Sequence, residues 1–369
     1  MSQAQFEIQL IASIVAVACA LPGVFLVLRR MAMMSDAISH TVLLGIVIAF
    51  FITKTLNSPL LLIGAALMGV ITVSLVELLN RTRLVREDAA IGLVFPAIFS
   101  IAVILISRFA GDVHLDTDAV LLGELAFAPF NRIRLGGIDV GPEALFTSAS
   151  ILVLNILFIV LFYKELKLAT FDPALAAALG FAPAILHYAL MTLVSLTAVG
   201  SFDAVGSVLV VAFMIAPPAA AYMLTDRLSR MLLYSACIGI ISAVSGYWLA
   251  HGLDASIAGS MATMTGVSFL AAYLLAPERG LIAQARRRQK QRTEFALTML
   301  TMHIAHHTAT REVEQENKVV RLHEHLKWSP RFAAEIVSTA ERMGLVQQTR
   351  GLLFLTESGL KRAQQEFTS

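Results

Sequence analysis

The sequence contains little charge. Only 15% of its 369 residues are Asp, Glu, Lys or Arg, whereas 57% are hydrophobic. Soluble globular domains carry about 25% charged residues, so the composition excludes an ordinary soluble protein for most of the chain. The charges that are present lie between apolar runs and toward the C-terminal end. We therefore expect a membrane protein with a smaller polar region.

Cysteine motifs and nucleotide-binding motifs are absent from the sequence. Its two cysteines, Cys19 and Cys237, lie in apolar runs without metal-site or disulfide spacing, which predicts small buried side chains. There is no G-x-x-x-x-G-K-[S/T] phosphate loop, so another chain must bind any ATP that this protein uses. The first apolar run, 8–28, has full spanning length and lacks a basic start, so a cleavable signal peptide is not expected.

Long apolar runs are what the sequence has most of. A spanning helix needs about 20 mostly apolar residues, and nine runs meet this requirement. The sixth and seventh are separated only by residues 200–204, where a tight turn, or a broken helix that reduces the total to eight, would explain so short a gap. The runs are 8–28, 34–53, 60–79, 89–107, 144–163, 183–199, 205–224, 231–250 and 257–276. This pattern predicts an all-α polytopic membrane protein. Basic residues follow alternate runs, beginning with Arg29 and Arg30, so the positive-inside rule predicts an external N-terminus and a cytoplasmic C-terminus.

The composition changes abruptly after the last apolar run. Residues 1–277 are predicted to form the transmembrane domain, and residues 278–293 a basic juxtamembrane linker beside anionic lipid head groups. Residues 294–369 show three helical segments, two short strands and a last helix. That order predicts a small cytoplasmic winged helix-turn-helix domain. This region contains nine basic and nine acidic residues, a balance that does not favour nucleic-acid binding.

Asp36 and His40 are ionisable residues inside an apolar run. Their i, i+4 spacing places both side chains on one face of a helix. Ionisable residues within a membrane are costly and mark transport paths or polar partners, and a carboxylate beside an imidazole is half of a divalent-metal site. A polar pair at the point where a helix enters the lipid would explain the same spacing.

A short helix is predicted over 171–180, between two spanning runs. Asp172 can cap its N-terminus, Pro173 fits its first turn, and Leu175 and Leu179 share one face. The segment is too short to cross a membrane. It is either an interfacial helix or a helix that docks into the groove of a partner protein.

Four ordered motifs together resemble the manganese, zinc and iron ABC permease family. They are Met31-Ala-Met-Met-Ser-Asp-Ala-Ile-Ser-His40 with Leu44-Gly45, Arg86-Glu-Asp-Ala-Ala-Ile-Gly92, Phe171-Asp-Pro through Leu179-Gly180, and Val205-Gly206 with Met214-Ile-Ala-Pro-Pro-Ala219. The resemblance covers roughly residues 8–276, while residues 294–369 resemble the winged helices of metal-dependent repressors.

The resemblance implies a transport subunit and not an enzyme. Such a subunit lies in the bacterial inner membrane and moves Mn²⁺, Zn²⁺ or Fe²⁺ without a permanently bound cofactor. It pairs with an identical or related permease, a cytoplasmic ATPase and an extracytoplasmic metal-binding protein. By resemblance, Asp36 and His40 coordinate the metal in the path. The residues that couple the permease to the ATPase would be Phe171, Asp172, Pro173, Leu175 and Leu179.

Other interpretations fit parts of the pattern. His303 and His307 share a helix face and could form a cytoplasmic metal sensor, or they could be solvated histidines. The winged helix could belong to a membrane-tethered, metal-responsive transcription regulator. An Asp and His pair could also carry protons in a proton-coupled metal carrier, which needs no ATPase.

Overall fold

The computed structural model describes residues 2–55, 58–109, 125–135, 138–307, 317–318 and 322–367. The chain divides into two compact units, Met1–Gly280 and Leu281–Ser369. The elements of the first unit are α1 (Gln3–Leu28), α2 (Ala32–Thr53), α3 (Pro59–Arg81), α4 (Glu87–Phe109), β1 (Arg132–Leu135), β2 (Ile138–Pro142), α5 (Glu143–Leu161), α6 (Tyr163–Phe171), α7 (Pro173–Ala178), α8 (Pro183–Val205), α9 (Ser207–Leu224), α10 (Leu228–Leu253) and α11 (Ile257–Leu275).

Nine helices in the described part of this unit are long and apolar enough to cross a membrane. These are α1 to α5 and α8 to α11. A multi-pass helical membrane protein is thereby confirmed. α1 lies at the centre and packs against α5, α9 and α10, while α2 packs against α3, α4 and α8. Small residues allow this close packing, since a Cβ atom on Gly23 of α1 would lie 2.1 Å from the carbonyl oxygen of Met214.

The break between the sixth and seventh spans differs from the prediction. α8 continues through residues 200–204, and the chain breaks at Gly206, whose φ of +79° suits glycine. Gly200 serves packing instead of a turn, because a Cβ atom there would meet Ile151 of α5 at 2.4 Å. The prediction of a turn at 200–204 was therefore wrong, although the count of nine spans is unaffected.

The cysteines differ from each other in their surroundings. Cys19 is fully buried in α1, as expected, whereas Cys237 is exposed on the surface of α10. The prediction of a buried side chain at Cys237 was wrong because an apolar run in a membrane helix has a lipid-facing side as well as a packed side.

The second unit consists of helices around one β-hairpin. Its elements are α12 (Leu281–His307), α13 (Leu322–His325), α14 (Pro330–Arg342), β3 (Val346–Thr349), β4 (Leu352–Leu355) and α15 (Glu357–Phe367). The segment predicted as a linker, 278–293, is helical from Leu281 onward because it is rich in Ala, Arg, Gln and Lys, which favour helix. Leu297, Leu300, Ile336 and Leu353 are among the residues that form the unit's hydrophobic core.

Candidate functional site

Asp36 and His40 lie one turn apart on α2, as their spacing predicts. His40 Nε2 is 3.6 Å from Asp36 Oδ1, which is too far for a hydrogen bond. Two ligand atoms that each lie about 2.1 Å from a shared tetrahedral cation are separated by about 3.4 Å. The two side chains are therefore close to the separation at which both can bind one divalent ion.

The pair lies on the open side of α2, in a stretch of the helix whose other side is buried. Between Ser35 and Val47, every residue is buried except Asp36, His40, Leu43 and Ile46. The side chains of Asp36 and His40 are 40% and 30% exposed. This open stripe runs along a spanning helix, where the surroundings are lipid, a cavity or a second protein. Lipid is the least favourable of the three for a carboxylate.

The other face of α2 is fixed against α3. Thr72 Oγ1 donates a hydrogen bond to Thr41 Oγ1 at 2.8 Å, and both side chains are buried. One turn further along, a Cβ atom on Gly45 would lie 2.2 Å from the carbonyl oxygen of Gly64, so the two backbones are in direct contact. This tight packing fixes the rotation of α2 and so the direction in which the open stripe faces.

Two aromatic rings of α4 contact the imidazole, a feature that the sequence analysis missed. The ring centroid of His40 lies 5.1 Å from that of Phe95 and 5.8 Å from that of Phe99. Such contacts restrict the orientation of the imidazole and shield one side of it from water. The i, i+4 spacing of the two phenylalanines was visible in the sequence, but nothing there joined them to His40.

Within the described part of the chain, Asp36 and His40 are the two metal-ligand side chains that lie together at this position. Among the residues that the structure describes, no group of three or more His, Cys, Asp or Glu side chains could hold a metal ion. Structural metal sites use four protein ligands, and catalytic sites three. Among the described residues, Asp36 and His40 thus make up only part of a metal site.

The short helix α7 has the predicted ends. Asp172 Oδ1 accepts a hydrogen bond from the Leu175 backbone N at 2.9 Å, and Pro173 occupies the first turn. At the C-terminus, Gly180 has φ of +87°, and the Phe181 N–H bonds back to the Ala176 carbonyl at 3.1 Å. This is a Schellman motif, which requires a left-handed residue at the position of Gly180. Local hydrogen bonds at the N-terminus and the C-terminus therefore determine where α7 begins and ends.

The outer side of this segment is apolar. Phe171, Leu175 and Leu179 are 59%, 46% and 61% exposed, whereas Ala176 is fully buried. Because α6 and α7 lie between two spanning helices, these side chains project at one end of the bundle. Leu175 and Leu179 lie one turn apart on α7 and its C-cap, and Phe171 ends the preceding helix α6. Together they form an exposed apolar surface of the kind that contacts a groove of another protein.

Arg29 links three elements at the same end of the bundle. Its Nε donates to Thr170 Oγ1 at 3.2 Å, and its Nη1 lies 3.3 Å from His187 Nδ1. Burial lowers the pKa of Arg29 below its ordinary value. In the sequence, Arg29 indicates only the orientation of the helices, and no local pattern there shows that residues from α6 and α8 contact this side chain.

The β1–β2 hairpin is attached to the start of α1. Arg132 Nη1 donates to Glu7 Oε2 at 3.0 Å, and Arg132 Nε donates to Asp139 Oδ2 at 2.6 Å. These hydrogen bonds raise the pKa of Arg132, with the bond to Asp139 contributing most. The hairpin is thus held beside the N-terminal end of α1.

The histidines of the second unit also meet. The ring centroids of His303 and His307 are 4.8 Å apart on α12, and the centroid of His325 is 6.1 Å from that of His303. None of the residues described around them forms a three-ligand group that could hold a metal ion. The metal-sensor interpretation of His303 and His307 stays a prediction.

Residues 2–276 match the family profile described as "ABC 3 transport family". The chain belongs to the ABC 3 transport family. The match ends near the last spanning helix, so it covers the first unit and leaves the second unit outside.

Two relatives and one solved structure agree with the ABC 3 assignment. The zinc transport system membrane protein TroD of Treponema pallidum is 48% identical over 97% of this chain and 97% of its own length. The manganese transport system membrane protein MntD of Bacillus subtilis is 51% identical over 79% of this chain and 99% of its own. PsaBC from Streptococcus pneumoniae, solved in complex with Fab, has a TM-score of 0.62 and 26% identity, covering 75% of this chain and 94% of that chain.

Proposed function

We propose that this chain is the permease subunit of an ATP-driven importer for divalent transition-metal ions. Its ABC 3 family membership supports the transport function, and the names of its zinc and manganese relatives support the cargo. The chain works with a cytoplasmic ATP-binding subunit and an extracytoplasmic metal-binding protein. It is a multi-pass membrane protein with nine candidate spans among its described residues, and we place it in the bacterial inner membrane with the C-terminus in the cytoplasm.

The observation that carries the cargo assignment is the open stripe of α2. It presents one carboxylate and one imidazole, 3.6 Å apart, on a spanning helix whose opposite face is buried between Ser35 and Val47. A second permease subunit, identical or related, would cover the stripe. About a twofold axis, two copies of Asp36 and His40 supply four ligands, which suffice for a four-coordinate ion.

The proposed cargo is manganese or zinc, with iron as the next candidate. Imidazole and carboxylate bind all three ions, and their ordinary order of affinity does not select manganese. A transport site must also release its ion, so moderate affinity is more useful than a closed cage. Two short side chains from each subunit, partly open to the path, suit a site of that kind.

The exposed apolar side of α7 is proposed as the contact with the ATPase. Closure of an ATPase dimer around ATP would draw two copies of this segment together. Each copy is connected to α8 directly and to the end of α1 through the Arg29–Thr170 hydrogen bond. Movement of α7 would therefore reach the hairpin of α1 and α2 that carries the metal ligands.

The second unit is proposed as a regulatory domain. The winged helix-turn-helix assignment is part of this proposal, and its basis is the order of elements, in which α14 is followed by two short strands and a last helix. The zinc relative aligns over 358 residues of this chain and so extends into this unit. His303 and His307 are the proposed metal-responsive residues, and a role for them would suit a metal importer.

Whole-cell metal content tests the proposed function. Cells that express the chain with its partner subunits are compared with cells that carry Asp36→Asn or His40→Ala, for Mn, Zn and Fe separately. Removing one of so few ligands should reduce accumulation of the cargo metal about tenfold or more. Asp254→Asn is the matched control, because Asp254 is exposed, has φ of +51° and lies at the end of α10. Normal accumulation by Asp36→Asn at equal membrane levels would refute the assigned role.

A further inference from the structure

Prolines inside the spanning helices free backbone carbonyls from their usual hydrogen bonds. Proline has no N–H, so the carbonyl four residues earlier loses its helical donor. In the described spanning helices, these prolines are Pro22, Pro96, Pro217 and Pro218, and the freed carbonyls belong to Ala18, Gly92, Phe213 and Met214. Because lipid supplies no partner for a carbonyl, such an oxygen needs one from the protein or from a water-filled path.

The freed carbonyls of α1 and α9 lie in packed surroundings. The Ala18 carbonyl accepts a hydrogen bond from Asn155 Nδ2 of α5 at 2.7 Å. The Met214 carbonyl is covered by α1, because a Cβ atom on Gly23 would lie 2.1 Å from its oxygen. Phe213 is fully buried. At these positions the protein itself encloses the carbonyl that a proline has freed.

The Gly92 carbonyl of α4 differs from these. Gly92 and Pro96 are both exposed, and a Cβ atom on Gly92 would meet nothing within 4 Å. Among the described residues, none outside α4 donates a hydrogen bond to the Gly92 oxygen. A carbonyl of this kind is unfavourable in hydrocarbon. Like the carboxylate of Asp36, it is better suited to a polar path or a protein interface than to lipid.

This face of α4 adjoins the open stripe of α2. Gly92, Phe95 and Phe99 recur at i, i+3 and i+7, so they share one face of the helix. The rings of Phe95 and Phe99 contact the imidazole of His40. α2 and α4 cross the membrane in the same direction, because consecutive spans alternate. Asp36, one turn before His40, is therefore at about the level of Gly92, which lies about one turn before Phe95.

We propose that the Gly92 carbonyl oxygen is a further ligand for the metal ion in the path, directly or through one coordinated water, a role that rests on the proposed function. Two copies about a twofold axis would add two oxygens to the four ligands from Asp36 and His40. Oxygen-rich, six-coordinate sites suit Mn²⁺, whereas Zn²⁺ favours four ligands in tetrahedral geometry. Pro96 thus frees the kind of ligand that manganese prefers.

The test restores the missing donor at position 96. Pro96→Ala supplies an N–H that bonds to the Gly92 carbonyl and so withdraws this oxygen from the ion. The matched control places lactic acid at position 96 by nonsense suppression, because lactic acid has the methyl group of alanine but an ester oxygen instead of the N–H. Initial uptake rates of Mn²⁺, Zn²⁺ and Fe²⁺ are measured against concentration in cells that express the chain with its partner subunits.

Pro96→Ala should raise the KM for the transported ion about tenfold or more, as losses of supporting interactions at metal sites do. Where both ions are transported, the increase should be larger for Mn²⁺ than for Zn²⁺. The lactic acid variant should keep the KM of the unchanged chain. The Tm of Pro96→Ala in detergent without metal should be unchanged or higher, because alanine continues the helix. A raised KM without a lower Tm distinguishes a lost ligand from a damaged fold.

An unchanged KM in Pro96→Ala would overturn the proposal. Equal increases in Pro96→Ala and the lactic acid variant would also overturn it, because the shape of α4 and not the N–H would then be responsible. Asp36→Asn, measured in the same cells, distinguishes this role from the proposed function. Loss of uptake in Asp36→Asn with a normal KM in Pro96→Ala would refute the role of Gly92 alone. If the unchanged chain accumulates none of the three metals, both the proposed function and the role of Gly92 are refuted.

Discussion

Gly45 determines, at the scale of a single residue, how closely α2 approaches α3. A Cβ atom there would lie 2.2 Å from the Gly64 carbonyl oxygen and 2.8 Å from Met68 Cβ, and neither neighbour can move away cheaply. We predict that Gly45→Ala destabilises the protein by about 1–3 kcal/mol, the cost of overpacking. The measurement is the thermal unfolding midpoint in detergent.

Gly92 provides the matched control for this substitution. It lies inside helix α4, and a Cβ atom there would have no neighbour within 4 Å. Gly92→Ala should be neutral or stabilising by up to about 1 kcal/mol, because alanine favours helix. Equal effects of the two substitutions would show that helix propensity, and not the contact between α2 and α3, determines the result at Gly45.

The residue-scale features of the candidate site were only partly predictable. The spacing of Asp36 and His40 is local, so the sequence could show that the two share a helix face. Phe95 and Phe99 reach His40 from another helix, and Arg29 meets Thr170 and His187 across more than 140 positions in one case and more than 150 in the other. Side-chain contacts between residues so far apart in the chain depend on how helices pack, which a single sequence does not reveal.

At the scale of the secondary-structure element, local sequence signals predicted the helices and their ends best. The spanning helices follow from hydropathy because each must satisfy its own backbone hydrogen bonds in lipid. The ends of α7 follow from Asp172, Pro173 and Gly180, which act within a few residues of themselves. The break before α9 was misplaced because the sequence contains two glycines in this region. Gly200 lies inside α8 and packs against another helix, whereas Gly206 has the positive φ of the turn.

α7 supplies the prediction at this scale. We expect Leu175→Ser to weaken binding of the ATPase subunit about tenfold or more, because the leucine is an exposed apolar anchor on the proposed docking side. Ala177→Ser changes a neighbouring exposed position that is not on the i, i+4 stripe and should leave binding intact. Co-purification of the ATPase from detergent extracts, with equal permease levels, measures both. Equal ATPase recovery from Leu175→Ser and the unchanged chain would contradict the docking role.

At the scale of the whole molecule, the first unit carries what the ABC 3 family shares. The family match ends at residue 276, and the manganese relative aligns over 99% of its own length with only 79% of this chain. A permease of this family can therefore consist of little more than the spanning unit. The zinc relative, which aligns over 97% of this chain, shows that the second unit is retained in at least one similar protein.

Truncation after Gly280 tests whether import belongs to the first unit and its regulation to the second. The boundary between the compact units lies there, and the first unit has its own hydrophobic core. We predict that the truncated chain imports the cargo metal at the unchanged initial rate when external metal is scarce. If the second unit slows import in response to metal, only the full chain should reduce its rate after metal loading. Rates of metal uptake before and after loading measure this difference.

The double variant His303→Ala/His307→Ala tests whether these imidazoles are the responsive groups. Before metal loading, the double variant should import at the normal rate, because the spanning unit is unchanged. After metal loading, its import rate should stay as high as that of the truncated chain, because two adjacent imidazoles of α12 have been removed. A full-chain response that survives the double variant but disappears on truncation would assign the response to other residues of the second unit. Loss of import on truncation at normal membrane levels would show instead that the second unit is required for assembly with the ATPase.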